Sequence, residues 1–192
     1  MSLLTRARAR GFSIAAVWSL ALVVGLGACG GSGGSSAPAA TAPVRVLEKA
    51  GAEPSDSTRM VCGSEGKEEI AAAVGVDVTR PLMPRFVDHL YSCDYVYSDG
   101  LATLSVKELS SAAETTAYFD ALGKRLGRKH ALLGLGQGAY QTTDGSTVVR
   151  KDYRVLLVNA SRLPKQFGVP SAPRADASLT VAATIMGCWT GA

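Results

Sequence analysis

The chain has 192 residues, with 20 lysines and arginines against 16 aspartates and glutamates, a formal net charge of +4. Arg6, Arg8 and Arg10 stand before residue 29 with no acid beside them, so beyond that point 17 basic residues face 16 acidic ones. A net of +1 excludes the cationic footprint that nucleic-acid binding demands. The one basic cluster, Lys124, Arg125, Arg128 and Lys129, is read as complementing the C-terminal end of a helix dipole.

The three arginines are followed by an uncharged apolar run over residues 12–26 and then by small residues, the order of a secretory signal over residues 1–28. Leu26-Gly27-Ala28-Cys29 resembles the lipobox of bacterial prolipoproteins. That resemblance implies cleavage before Cys29 and a diacylglyceryl group on its thiol, whose thiolate is the nucleophile that takes the lipid. It also implies a membrane partner, reached through that anchor on the outer face of the cell membrane. An uncleaved span is the competing reading, but the run is short of the roughly 20 residues that crossing takes; ordinary secretion is the other. No two arginines adjoin in this segment, which favours general secretion over the twin-arginine route. Residues 29–59 begin with a Gly/Ser stretch and continue with alanine, threonine and proline, which reads as a flexible tether. A single folded domain is expected over residues 60–192.

Ser64 is expected to cap a first helix, with Glu65, Glu68 and Glu69 near its positive end and Gly75 as its stop. Ile70, Ala71 and Val74 would be its buried stripe. Pro81 and Pro84 then break the chain. Residues 91–97 alternate, placing Tyr91, Cys93, Tyr95 and Tyr97 on one face, and Asp99-Gly100 predicts a two-residue hairpin turn into a return strand over 101–109. Ser111-Ala112-Ala113-Glu114 has the capping-box pattern and opens a helix running through Leu126 to Gly127, with Tyr118, Ala121 and Leu122 inward. Strands over 140–142 and 147–151 flank Asp144-Gly145. Residues 155–159, nearly all apolar, predict a central strand. Residues 175–186 satisfy both helical spacing and alternation; Pro173 before and Gly187 after favour the helix. The expected order is α-β-β-α-β-β-β-α, an α+β domain with an antiparallel sheet of about five strands and two to three helices on it.

Export would place the remaining cysteines in an oxidising compartment. Once Cys29 is acylated, Cys62, Cys93 and Cys188 form an odd set. Cys62–Cys93 is the favoured disulfide because it pins the first helix to the first strand, with Cys188 a possible free thiol; pairing of Cys188 with either of the others stays open. Tyr91, Tyr95 and Tyr97 are candidate ligand-facing residues if their shared face opens on a pocket, and core residues otherwise. His89 beside Asp88 lacks the recurring spacing of a metal site, and His130 follows a basic helix end. Gly30-Gly31-Ser32-Gly33-Gly34 matches a nucleophile-elbow pattern, but in a tether no strand-to-helix turn can strain the serine. Gly134-Leu135-Gly136-Gln137-Gly138 precedes a strand, offers no helix N–H groups to a phosphate, and reads as a tight connection between helix and sheet. The sequence thus shows no metal site, no cofactor motif and no catalytic constellation.

Residues 60–186 also resemble small uncharacterised lipoproteins of the actinobacterial cell envelope. The resemblance rests on Cys62 ahead of the first helix, on the Tyr-x-Cys-x-Tyr strand at residues 91–95 with its following Asp-Gly turn, and on Leu-Gly-x-Gly-Ala-Tyr at residues 135–140. It implies an α/β sandwich in the envelope and supplies no catalytic residues. Two functions are carried forward. One is a membrane-anchored, non-catalytic binding module for an envelope lipid, a small ligand or a protein partner. The other is a hydrolase or thiol-redox enzyme built on an unrecognised site, with Cys188 as the candidate thiol.

Overall fold

The computed structural model describes residues 47–190. The expected signal segment and Cys29 lie outside the described residues. In chain order the elements are α1 (Asp56–Arg59), a 3-10 turn (Met60–Cys62), α2 (Ser64–Val74), β1 (Arg85–Val87), β2 (Leu90–Val96), β3 (Leu101–Glu108) and α3 (Ala112–Leu126). Then come β4 (Arg128–Leu132), β5 (Gly138–Thr142), β6 (Thr147–Lys151), β7 (Arg154–Arg162), β8 (Gln166–Phe167), β9 (Ala172–Pro173) and α4 (Arg174–Thr190). The domain is α+β. Seven strands form an antiparallel sheet in the order β1-β2-β3-β7-β6-β5-β4, and β8 and β9 pair separately.

The predicted helices α2, α3 and α4 and the strands β2, β3, β5, β6 and β7 are present, with β7 central. The sheet is wider than five strands because β1 and β4 add an edge on each side. β4 begins Arg128-Lys129-His130, all exposed, so its residues carry no alternation; pairing with β5 alone makes them a strand. β1 is joined to β2 by Asp88-His89, whose φ angles of 49° and 56° form a two-residue turn without glycine. Asp152-Tyr153 joins β6 to β7 in the same way, at φ 48° and 60°. Near the expected Asp99-Gly100 turn the Tyr97 N–H donates to the Gly100 carbonyl at 2.9 Å, so the two residues enclosed are Ser98-Asp99, one position earlier than expected.

The fold begins before Met60. The Ala50 N–H donates to Leu109 O at 3.1 Å, and buried Ser55 precedes α1. Ser55 donates to Glu108 Oε1 from its N–H at 3.0 Å and from its hydroxyl at 2.5 Å. Arg154 Nε lies 3.7 Å from the same carboxylate oxygen, and Arg154 Nη2 reaches Glu48 Oε2 at 2.6 Å. These polar side chains tie residues 48–58 to β3 and β7, so this part of the expected tether is folded chain.

Two apolar layers sandwich the sheet. On one face α2 and α4 cover Cys93, Tyr95, Leu104, Val106, Leu156 and Val158, with Ile70, Val181, Ala182 and Ile185 turned inward. On the other, α3 lays Phe119 and Leu122 on Tyr140, Val148 and Val155. The α3 stripe is rotated from the expected one: Phe119 is buried, Tyr118 is half-buried and Ala121 is exposed. Ser111 does cap α3, its hydroxyl accepting from the Glu114 N–H at 3.2 Å, while Glu114 accepts from the Ser110 N–H at 2.9 Å. Ser64 is the first residue of α2 and Gly63 occupies the cap without a side-chain bond. Cys62 and Cys93 form a disulfide with Cα atoms 6.0 Å apart, and Cys188 is free. Among the described residues no helix is long and apolar enough to cross a membrane.

Candidate functional site

The Gly134–Gly138 segment connects two strands, β4 and β5, and not helix and sheet as expected. Gly134 and Gly136 take φ angles of 74° and 58°. A Cβ on Gly136 would sit 2.7 Å from Arg150 O and 2.7 Å from Val149 Cγ1, so glycine alone lets this loop lie on β6. Gln137 secures it: its N–H donates to Arg150 O at 2.9 Å, and its side chain bonds Asp152 on both the carboxylate (3.3 Å) and the N–H (3.2 Å).

The loop pinned in this way stands against the C-terminal half of α4 and leaves a groove of about 530 Å³. Its walls are Gly134, Leu135, Gly136 and Gln137 on one side, Ala183, Met186 and Gly187 on the other, with Lys151 between them. A Cβ added at Gly187 would meet nothing within 4 Å. Lys151 Nζ donates to Trp189 O at 3.1 Å, holding a cation where the α4 dipole is negative. An ammonium has three donors, so this one can also meet an anionic or carbonyl group at the groove. The apolar walls suit a hydrocarbon. A second hollow of about 440 Å³, lined by Asp56, Arg59, Met60, Ser64 and Glu65, lies at the start of α2.

The residues singled out from the sequence fall elsewhere. Tyr95 has no exposed surface and donates from its hydroxyl to Val61 O at 2.8 Å. Tyr97 is buried against Phe167, the ring centroids 4.7 Å apart. Burial raises the pKa of both hydroxyls, that of Tyr97 to about 12. These two are core residues and not ligand-facing: their face is the one α2 and α4 cover. Tyr91 is half-buried at the edge of that core, beside Phe86. His89 Nδ1 is 2.9 Å from Gly51 O, a contact that ties the β1–β2 turn to the incoming chain. His130 is exposed on β4. Among the described residues no three His, Cys, Asp or Glu side chains gather as a metal site would require.

Cys188 Sγ lies 2.7 Å from Glu69 Oε2 and 3.4 Å from Thr184 O. Burial, the hydrogen bond to Glu69 and the charges of Glu69 and Glu65 push this thiol up to about 11. A reactive cysteine needs the opposite, a cationic or helix-N-terminal setting that favours thiolate.

Sequence reasoning missed the groove because its walls, the Gly134–Gln137 loop and the Ala183, Met186 and Gly187 positions of α4, lie about 50 residues apart in the chain and neither carries a binding motif of its own. The glycine spacing was the one available signal, and it gave the loop without its partner. No protein family, no curated protein and no solved structure matches this chain.

Proposed function

We propose that the protein is a non-catalytic binding module, held at the outer face of a cell membrane by lipid on Cys29. It engages an envelope lipid, a small apolar ligand or a protein segment in the groove between the β4–β5 loop and α4. The observation that carries this is the groove itself: a rigid, apolar-walled space of about 530 Å³ with a single cation, Lys151, among its lining residues. Largely preformed apolar concavities with a few placed polar groups are the usual form of a ligand site. The Leu26–Cys29 motif supports the anchor. Native mass spectrometry of the full chain, extracted gently from its own membrane, tests both parts. The expected spectrum carries the Cys29 lipid plus a further non-covalent mass. Gly187→Leu, which fills the groove, removes the second mass and keeps the first. A wild-type spectrum with the lipid alone would overturn the ligand-carrying reading. The competing thiol-redox reading draws no support from Cys188, whose carboxylate neighbour holds it protonated.

A further inference from the structure

A row of hydrogen bonds connects the start of the described chain to the β4–β5 loop. Ala50 bonds Leu109, the Leu109 N–H donates to Tyr153 O at 2.8 Å, and Asp152 beside Tyr153 bonds Gln137. His89, in the β1–β2 turn, meets Gly51. All these turns therefore lie at one end of the sheet, together with the place where residue 47 leads in and the C-terminal end of α4. At this end stands Leu133, the residue before Gly134, with 96% of its surface exposed. It is the most exposed large apolar side chain among the described residues. Its neighbours explain the contrast: Leu132 and Leu135 turn back to the core while Leu133 projects between them. The positive-φ glycines and the Gln137 bonds fix the loop in that form, so the exposure is built in.

Seventeen residues, and so eighteen residue-to-residue steps, separate Cys29 from Leu47. That is at most roughly 60–65 Å of chain. The opposite end of the nine-residue β7 lies roughly 30 Å further away. The chain from Cys29 thus enters the folded domain at its Leu133 end. Building on the tethered module above, we propose that the β4–β5 loop is a membrane-docking element: Leu133 enters the acyl layer and places the mouth of the groove at the lipid surface. A leucine moved from water into hydrocarbon gains enough to favour docking about tenfold or more over the undocked orientation, without any specific partner. Val169, 69% exposed, is at the other end of the sheet, where it bonds the last residue of α2, and stays in water.

The test uses the full chain purified from its own membrane and reconstituted into phosphatidylcholine/phosphatidylglycerol vesicles with brominated acyl chains. Leu133→Trp and Val169→Trp are compared with wild type, whose buried Trp189, together with Trp18 wherever the signal segment is uncleaved, sets the background that is subtracted. The expected result is a blue-shifted indole at position 133 that bromolipid quenches and acrylamide does not, with the reverse at position 169. An indole at position 133 that acrylamide quenches and bromolipid leaves bright would overturn docking, and so would equal bromolipid quenching at both positions. The mass of Cys29 in the same preparation separates the two proposals. An unquenched position 133 on acylated protein sinks the docking and spares the anchor; a quenched one on unacylated protein does the opposite.

Discussion

Glu108→Gln should be among the most damaging single changes in this domain, although it swaps groups of equal size. Glu108 is 4% exposed and Arg154 is 9% exposed at the side chain, so their charges meet in a poorly hydrated place. Burial by itself raises the Glu108 pKa, but the Ser55 and Thr58 hydrogen bonds and the charge of Arg154 outweigh it and hold the carboxyl below its ordinary range. Neutralising Glu108 leaves Arg154 with Glu48, which is 61% exposed and a weaker partner for a buried cation. Breaking a buried pair from one side costs about 3–5 kcal/mol; with Glu48 retained, a loss of about 2–4 kcal/mol is expected. In thermal unfolding followed by circular dichroism that is a fall of roughly 5–15 °C for a domain of this size. A depressed carboxyl contributes stability that is complete above its unfolded value, near 4.3, and is lost as pH falls through the lower folded value. The gap between wild type and Glu108→Gln should therefore be full at pH 7 and close in acid. Glu108→Gln combined with Arg154→Met removes both charges, keeps an oxygen to accept from Ser55, and should recover much of the loss. A deficit under 1 kcal/mol at pH 7, or one that does not shrink as the pH is lowered, would refute the reasoning.

Other expectations follow from the same structure. Replacing Cys62 and Cys93 by alanine opens a link between positions 31 apart and should cost about 3–4 kcal/mol in the chain-entropy description, read by urea unfolding. Gly136→Ala meets both a φ of 58° and a backbone oxygen at 2.7 Å; a loss of about 1–3 kcal/mol by thermal unfolding is expected, and an unchanged midpoint would show that the loop does not hold this shape. Cys188 should alkylate slowly at neutral pH, with a rate that climbs only toward pH 11. Glu69→Gln should speed the labelling and shift its pH profile down; a wild-type profile with a midpoint below 9 would contradict the carboxylate contact.

The elements legible in the sequence were those whose residues carry their own signal. The Tyr91–Tyr97 alternation, the Ser111–Glu114 cap and the apolar run of β7 each state a local preference that the fold keeps. Gly75 and Gly127 end their helices in left-handed conformation, as helix-stopping glycines do. The elements that escaped are held by distant partners. Arg128 looked like a helix terminus, but its guanidinium sits 4.3 Å from the Tyr140 ring and 3.0 Å from Asp120, and β5 pairs with its backbone. The turns at Asp88-His89 and Asp152-Tyr153 lack the glycine that announces such turns. The Glu108 N–H donating to His89 O at 2.9 Å and the Leu109 N–H donating to Tyr153 O brace them from outside.

By itself the sequence determined the α+β class, the order of the long elements and the near-balance of charge beyond residue 28, because periodicity, caps and charge are local properties; it favoured the Cys62–Cys93 pairing, and the structure decided it. Only the tertiary structure decided that residues 47–59 belong to the domain, that Tyr95 and Tyr97 are core, and that the glycine loop and α4 enclose a groove. Each of these depends on which surfaces meet across 50 or more residues of chain: Ser55 finds Glu108, and Gly136 lies opposite Gly187. No local preference encodes such meetings; they are settled when the apolar faces of the sheet are buried and the remaining polar groups must find partners.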